Sequence, residues 1–491
     1  MMPIRRHLAL AAAVAVVAGC APIHQPKGFL GKLWRLEVGP QYERPAIDTP
    51  ADYRSCARLD ATDAASFADL PWWQVFEDPA LQSLVSGALE GNYDLQAAVA
   101  RIDEARAQIG VAASQFFPQI GYQGSAVRQR IPGGVTFPAI PAATWNVFFG
   151  AFNAAWEIDL WGRIRRSTEA AQAQYLASDE ARRGVVVSLV SNMASGYFEL
   201  LELDRELAIA HESADTYGKT LDVFTRRYLG GTDTKISTSR AEANLQASRS
   251  TIAALERQIA QAENAISVLL GTNPKPIERG VSLVHQSVPV TPLGLTSELL
   301  RRRPDIRQAE QTMIAANAGI GVAVANFFPT VGLSTLYGGA NNKIGNVVKD
   351  SASLWNIAAN LSGPIFQGGK LLESYYGQKA YWDETIASYR STIVQAFREV
   401  ADALAAQDRL AEQRTAQEAQ VAALREAVRL SLARYESGLT NYIEVLDAEE
   451  LLYPAEGALA RTRRDQLVAV VNLYKALGGG WQKPREQVAA R

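Results

Sequence analysis

Two uninterrupted stretches of helix-forming sequence constrain this 491-residue chain more than any other feature. No proline occurs from Ala142 to Asn273 or from Ile365 to Tyr453, and Ala, Glu, Gln, Arg and Leu dominate both stretches. Arg163 to Tyr228 and Lys370 to Tyr435 each span 66 residues, so each predicts a helix about 100 Å long at 1.5 Å per residue. A compact globule has no use for such rods. Beyond the first rod, Leu245, Ile252, Ile259 and Ile266 recur every seven residues, with Ser248, Leu255, Ala262 and Leu269 as a second heptad series. That pattern predicts a returning helix packed as in a coiled coil. The matching stripe in the second half is weaker, because Gln466 interrupts Leu452, Leu459 and Leu473. Stripes of this kind build walls.

The chain is one unit written twice. Phe116-Phe117-Pro118 recurs as Phe327-Phe328-Pro329, and Asp94 matches Asp305, both at an offset of 211 residues. Trp145-Asn146 pairs with Trp355-Asn356 at an offset of 210, and Arg227-Tyr228, Ala241-Glu242 and Leu270-Gly271 match Arg434-Tyr435, Ala448-Glu449 and Leu477-Gly478 at 207. The halves run roughly from 79 to 291 and from 292 to 478. A segment 20–78 precedes them, and a tail 479–491 follows.

Between the helices the pattern changes to period two. Trp355, Ile357, Ala359 and Leu361 alternate with Asn356, Ala358, Asn360 and Ser362, and Phe152, Ala154, Trp156 and Ile158 alternate with Asn153, Ala155, Glu157 and Asp159. Ile120 and Tyr122, then Val331 and Leu333, predict two shorter strands. Strands with one apolar, aromatic-rich face suit a transmembrane β-barrel with lipid outside and water inside, although a soluble sandwich would alternate in the same way. The long helices argue against the sandwich. Four strands cannot close a barrel, and open edges are not viable in hydrocarbon, so several chains must pool their strands.

The start of the chain is a targeting segment. Arg5, Arg6 and His7 precede an apolar run of eleven residues, Leu8 to Ala18, well short of the about 20 that span a bilayer. The run ends Val17-Ala18-Gly19-Cys20, which resembles a lipobox: residues 1–19 are expected to be removed and Cys20 to carry lipid, the other reading being a plain signal peptide. Ala21 stands where sorted lipoproteins retained at the inner membrane commonly have aspartate, which points to the outer membrane. With 49 basic and 51 acidic side chains there is no positive field for nucleic acid. Two cysteines, Cys20 and Cys56, and four scattered histidines, His7, His24, His211 and His285, offer no ordinary zinc site.

These features bring in a resemblance. Val38-Gly39-Pro40-Gln41-Tyr42-Glu43-Arg44-Pro45, Trp72-Trp73 with Phe76 and Asp78-Pro79, the Phe-Phe-Pro pair, Asp159-Leu160-Trp161-Gly162, Arg302-Arg303-Pro304-Asp305 and Tyr435-Glu436-Ser437-Gly438 stand in an order and spacing that resembles the TolC-like outer-membrane factor family. The likeness is to its NodT-type lipoprotein branch, which serves drug-efflux systems of the resistance-nodulation-division (RND) type. It covers essentially the whole mature chain. The resemblance implies an α+β membrane protein: a homotrimer with a 12-stranded outer-membrane β-barrel continuous with a long periplasmic α-helical, coiled-coil barrel. It implies a lipid-anchored location in the outer membrane of a Gram-negative bacterium, contact with outer-membrane lipid, and no enzymatic activity. Drugs or other small molecules would pass from periplasm to exterior once a periplasmic adaptor (membrane fusion) protein and an inner-membrane RND-type transporter engage. An export duct for a type I protein secretion system, or for another non-RND exporter, shares the fold and stays open as the alternative.

The same resemblance places function at the hairpin tips. Gly230, Gly231 and Thr232 at the first turn, and Gly438 and Leu439 at the second, are the expected adaptor contacts. Asp447 and Glu444 are expected to face the axis of the periplasmic gate with Ile443 as an apolar constriction, while Tyr435 and Thr440 tie the closed turn to its neighbour. Glu444 has a competing local role, since Asn441 followed three residues later by Glu444 fits a capping box. The family often has a basic residue where this chain has Glu450. Chemistry finds no foothold: the glycine-rich run from Gly363 to Lys370 is not a phosphate loop, and Glu199 and Glu202 lack the histidines of a di-metal bundle. No cofactor or metal is expected.

Overall fold

A computed structural model describes residues 37–47, 72–75, 77–134, 141–289 and 299–479. The signal segment, Cys20, Cys56 and residues 480–491 lie outside the described residues. The helices are α1 (Trp72–Val75), α2 (Pro79–Gly91), α3 (Tyr93–Ser114), α4 (Arg163–Leu229), α5 (Lys235–Leu269), α6 (Leu299–Arg302), α7 (Pro304–Ala325), α8 (Lys370–Glu436) and α9 (Ile443–Ala476). The strands are β1 (Gln119–Ile131), β2 (Ala143–Ile158), β3 (Thr330–Asn341) and β4 (Ser353–Ser362). One order, a helix, two strands, a 67-residue helix and a return helix, therefore occurs twice, with α3 and α7 both 22 residues long. The halves do not form separate bodies. Among the described residues, one compact unit takes 37–45, 102–177 and 310–388, and the other takes the remainder, so each draws on both halves.

The first unit holds one antiparallel sheet in the order β1-β2-β3-β4. β1 and β3 run for 13 and 12 residues, well beyond the short segments the alternation marks. Glycines such as Gly121, Gly124, Gly338 and Gly339 blur the period-two signal in both strands, and pairing to β2 supplies what local propensity lacks. β2 ends at Ile158. Asp159 lies outside the strand and caps α4, accepting from the backbone N of Ile164 at 3.1 Å and of Arg165 at 2.9 Å. Trp161, next in the same motif, donates its indole N–H to Pro329 O at 2.7 Å and stacks on Phe328 at 4.7 Å.

Residues 37–45 lie along α7. Tyr42 and Arg44 both donate to Glu310, at 3.2 and 2.5 Å, and Asn317 donates to Pro40 O at 3.1 Å. Gly39 sits at φ +98°, where a Cβ would stand 2.5 Å from the Cα of Gly321, so the Val-Gly-Pro motif is a close backbone approach that only glycine permits. Buried Arg166 pairs with Glu37 at 2.9 Å and Glu169 at 2.8 Å.

The second unit is a helical core. Leu81, Val85 and Ala88 of α2 pack with Met193, Tyr197 and Leu200 of α4 and with Val470, Val471 and Tyr474 of α9. Asp78 fastens it: the buried carboxylate accepts from Ala80 N (2.9 Å), Tyr197 Oη (2.9 Å), Val281 N (3.0 Å) and Gln286 Nε2 (2.7 Å). None of the eight heptad positions on α5 is exposed. Gln466, the apparent break in the second stripe, is buried and accepts from Arg414 at 3.3 Å, a polar contact in place of a leucine. α9 also runs through Pro454, which lacks the N–H for its bond to residue 450.

Candidate functional site

The two long helices end in the same turn. After α4, Thr232 N donates to Arg227 O at 2.9 Å and Gly231 N to Tyr228 O at 3.0 Å; after α8, Leu439 N donates to Arg434 O and Gly438 N to Tyr435 O, both at 2.9 Å. Gly231 and Gly438 both have φ of +72°. This paired bonding satisfies the last carbonyls and needs a left-handed residue just past the cap, which glycine supplies without a Cβ penalty. The turns leave Gly230, Gly231, Thr232, Gly438 and Leu439 exposed, with Leu229 and Ile236 beside the first as further exposed apolar side chains.

An aromatic joint fastens the second hairpin to the first. Tyr442 is buried and meets Phe224 edge-on at 5.3 Å and Tyr435 at 4.8 Å, while its hydroxyl lies 2.7 Å from that of Thr220. Tyr435 accepts from Arg227 at 2.9 Å, and the same guanidinium stands 5.5 Å from its ring. Tyr435 therefore bonds across to the first hairpin of its own chain. Thr440 is half-buried and makes no hydrogen bond among the described residues. Further up, Asn244 donates to Glu450 at 2.7 Å, so the contact at position 450 is a neutral amide bond to α5 and no ion pair.

Glu444 and Asp447, three residues apart, share the exposed face of α9 opposite Tyr442, Val445 and Leu446. Neither side chain makes a hydrogen bond or ion pair among the described residues. The capping box does not form: Tyr442 precedes the first helical residue in the right-handed region, the Asn441 side chain accepts only from Ile443 N at 3.4 Å, and Glu444 does not reach back. One extra residue between Asn441 and the helix moves Glu444 out of the reciprocal position. Ile443 is partly exposed beside it.

Sequence reasoning passed over Glu449. It is 5% exposed, one carboxylate oxygen has no partner, and burial alone pushes the carboxyl up to about 7. Tyr217, Tyr442 and Tyr453 lie close enough to feel its charge, and no cation among the described residues balances it. The helical spacing Tyr442, Val445, Glu449, Leu452 was the available signal, since it places Glu449 on the buried face. Glu202 on α4 is buried near Arg464, at 3.9 Å, while Glu199 is exposed. No group of three metal-ligating side chains occurs among the described residues. The run before Lys370 is a turn into α8, with Gly368 and Gly369 at φ of +57° and +86°.

The family model described as Outer membrane efflux protein matches residues 84–272 and 295–479. A relative from Pseudomonas putida, the probable efflux pump outer membrane protein TtgC, is 33% identical over 483 residues, covering 98% of this chain and 96% of its own. The cation efflux system protein CusC of Escherichia coli O157:H7 is 32% identical, over 91% of this chain and 96% of its own. Among solved structures, the outer-membrane channel OprN superposes with a TM-score of 0.82 at 31% identity, covering 91% of this chain and all of that one.

Proposed function

The chain belongs to the outer membrane efflux protein family, and from that membership we propose that three copies form the exit duct of a tripartite pump. The observation that carries the reading is the sheet. It has four strands in linear order, one face rich in exposed aromatic and apolar side chains, and a free edge on both β1 and β4. Such a sheet is stable in a bilayer only when its edges are paired and its apolar face meets lipid, and three copies supply twelve strands for closure. The helical hairpins then continue the duct through the periplasm, and conduction is passive, with no catalytic step. Residues 1–19 are a cleaved signal, and Cys20 carries the lipid at the head of the segment 20–78. The repeats 79–291 and 292–478 build the wall, and 479–491 is the tail.

At the periplasmic end, Asp447 and Glu444 form an acidic ring with Ile443 beside it, the joint at Tyr435 holds the mouth closed, and the exposed tips Gly230 to Thr232 and Gly438-Leu439 receive the adaptor. An RND-type transporter supplies the driving force. The efflux names of the relatives favour this reading over a protein-export duct. Removing the chain from its host tests it: accumulation of at least one class among dyes, antibiotics, solvents and metal cations should rise, and a copy supplied in trans should reverse the rise. Unchanged accumulation of every class, with the protein absent from the outer-membrane fraction, would overturn the assignment.

A further inference from the structure

The register aligns a row of rings across all four strands: Tyr122 opposite Phe152, Phe152 opposite Tyr337, and Tyr337 opposite Trp355. They are 86, 66, 61 and 71% exposed, as expected of an aromatic girdle at a membrane interface. Two residues further from the helices, on the same face, the row reads Gly124, Gly150, Gly339, Ser353. The β3–β4 connection folds down onto that glycine floor. A Cβ on Gly339 would stand 2.0 Å from Val347 O, and one on Gly150 3.8 Å from Val347 Cγ1. Between connection and strands lies a cleft of about 460 Å³, lined by Tyr122, Phe152 and Tyr337 below and by Val347, Val348 and Lys349 above.

The charge at this end of the sheet is mostly positive. Lys349 lines it, is exposed, and makes no ion pair among the described residues. Arg128 and Arg130 stand outside the lining, four and six residues beyond Gly124 on the same face of β1, and Lys343 lies on the connection. Asp350 is the one carboxylate in the lining. At about 3.4 Å per residue the glycine row stands about 7 Å along the strands beyond the rings, about 5 Å in height at a barrel tilt of about 40°, within the headgroup layer when the rings mark the edge of the hydrocarbon. We propose that this cleft binds a phosphorylated glycolipid of the outer leaflet, with its apolar part against Tyr122, Phe152 and Tyr337 and its phosphate at Lys349. The proposal rests on the barrel reading, which turns this face to lipid and this end outward. A cationic rim over an apolar floor complements such an amphiphile, whereas a soluble anion would leave the aromatic floor uncovered.

The test uses the full-length protein purified in a mild nonionic detergent, titrated with mixed micelles of diphosphorylated lipid A, of dephosphorylated lipid A, or with inorganic phosphate alone. Native mass spectrometry and melting temperature report binding. Diphosphorylated lipid A should bind and raise the melting temperature. Lys349→Ala should weaken that binding at least fivefold, Lys349→Arg should retain it, Gly150→Leu should block the cleft, and inorganic phosphate should do nothing. Equal binding of both lipids, or an unchanged affinity in Lys349→Ala, overturns the site while a normal trimer leaves the barrel reading intact. A protein that stays monomeric overturns both. Lys349→Ala keeps the glycine floor, so the test stands even where Gly150→Leu fails to assemble.

Discussion

Glu449 makes the packing between the hairpins depend on pH. Its carboxyl stands at about 7 against an ordinary 4.5 because burial disfavours the charged form. A carboxyl raised in the packed state holds its proton more tightly there than when the hairpin loosens. The packing is thus strongest at low pH and weakens as pH rises from the ordinary value through the raised one. The whole difference is roughly 3 kcal/mol per chain, of which about 1 kcal/mol falls between pH 6 and 8. The groups facing Glu449 are Tyr217 from α4, Tyr442 just before α9 and Tyr453 within it, and none of them titrates in that window. Amide hydrogen exchange over Val445 to Leu452, corrected for intrinsic rates, reads the effect. Protection should fall roughly five- to tenfold from pH 6 to 8 in the native chain and stay flat in Glu449→Gln. An equal slope in Glu449→Gln would refute the assignment and place the proton elsewhere.

Mass spectrometry of the mature amino terminus should find a lipid-modified Cys20, and Cys20→Ser should impair processing while leaving membrane insertion in place, because the apolar face of the sheet would supply its own hydrophobic band on the proposed barrel reading. Light scattering with the detergent mass subtracted should give a trimer, and a stable monodisperse monomer would contradict the strand-pooling argument. Tyr435→Phe removes the acceptor for Arg227, typically worth about 1 kcal/mol; combined with Thr440→Val it should raise the open fraction in bilayer recordings, and an unchanged fraction would show that the joint does not hold the gate.

Much of this architecture is legible along the chain because its periods are long and uninterrupted. The rods beginning at Arg163 and Lys370 gain only Leu229 and Glu436 over the sequence reading, since no proline or glycine-rich break competes before the tip glycines. Strand extent is less legible. Gly121, Gly124 and Gly338 carry no side chain to alternate, and the ladder with β2 fixes what the residues alone leave open. The capping box fails for a related reason: Asn441 and Glu444 have the right spacing, but Tyr442, drawn into the pocket beside Phe224, delays the helix by one residue. Glu449 and the Arg227–Tyr435 contact depend on which face meets the other hairpin, and that is a long-range fact. The repeats were visible as matching motifs, whereas the interleaving of both halves in each compact unit could not be read from them.

The proposed gate is best tested by the reversal potential of the purified protein in a planar bilayer under a potassium chloride gradient. Glu444 and Asp447 are exposed on one face of α9, and three copies of that face around one axis would concentrate negative potential in the mouth. The account expects discrete channel events with a cation-selective reversal potential, a clear move toward zero in Asp447→Asn, and a smaller move in Glu444→Gln. A preparation that inserts yet never conducts, or an Asp447→Asn channel as cation-selective as the native one, would contradict it.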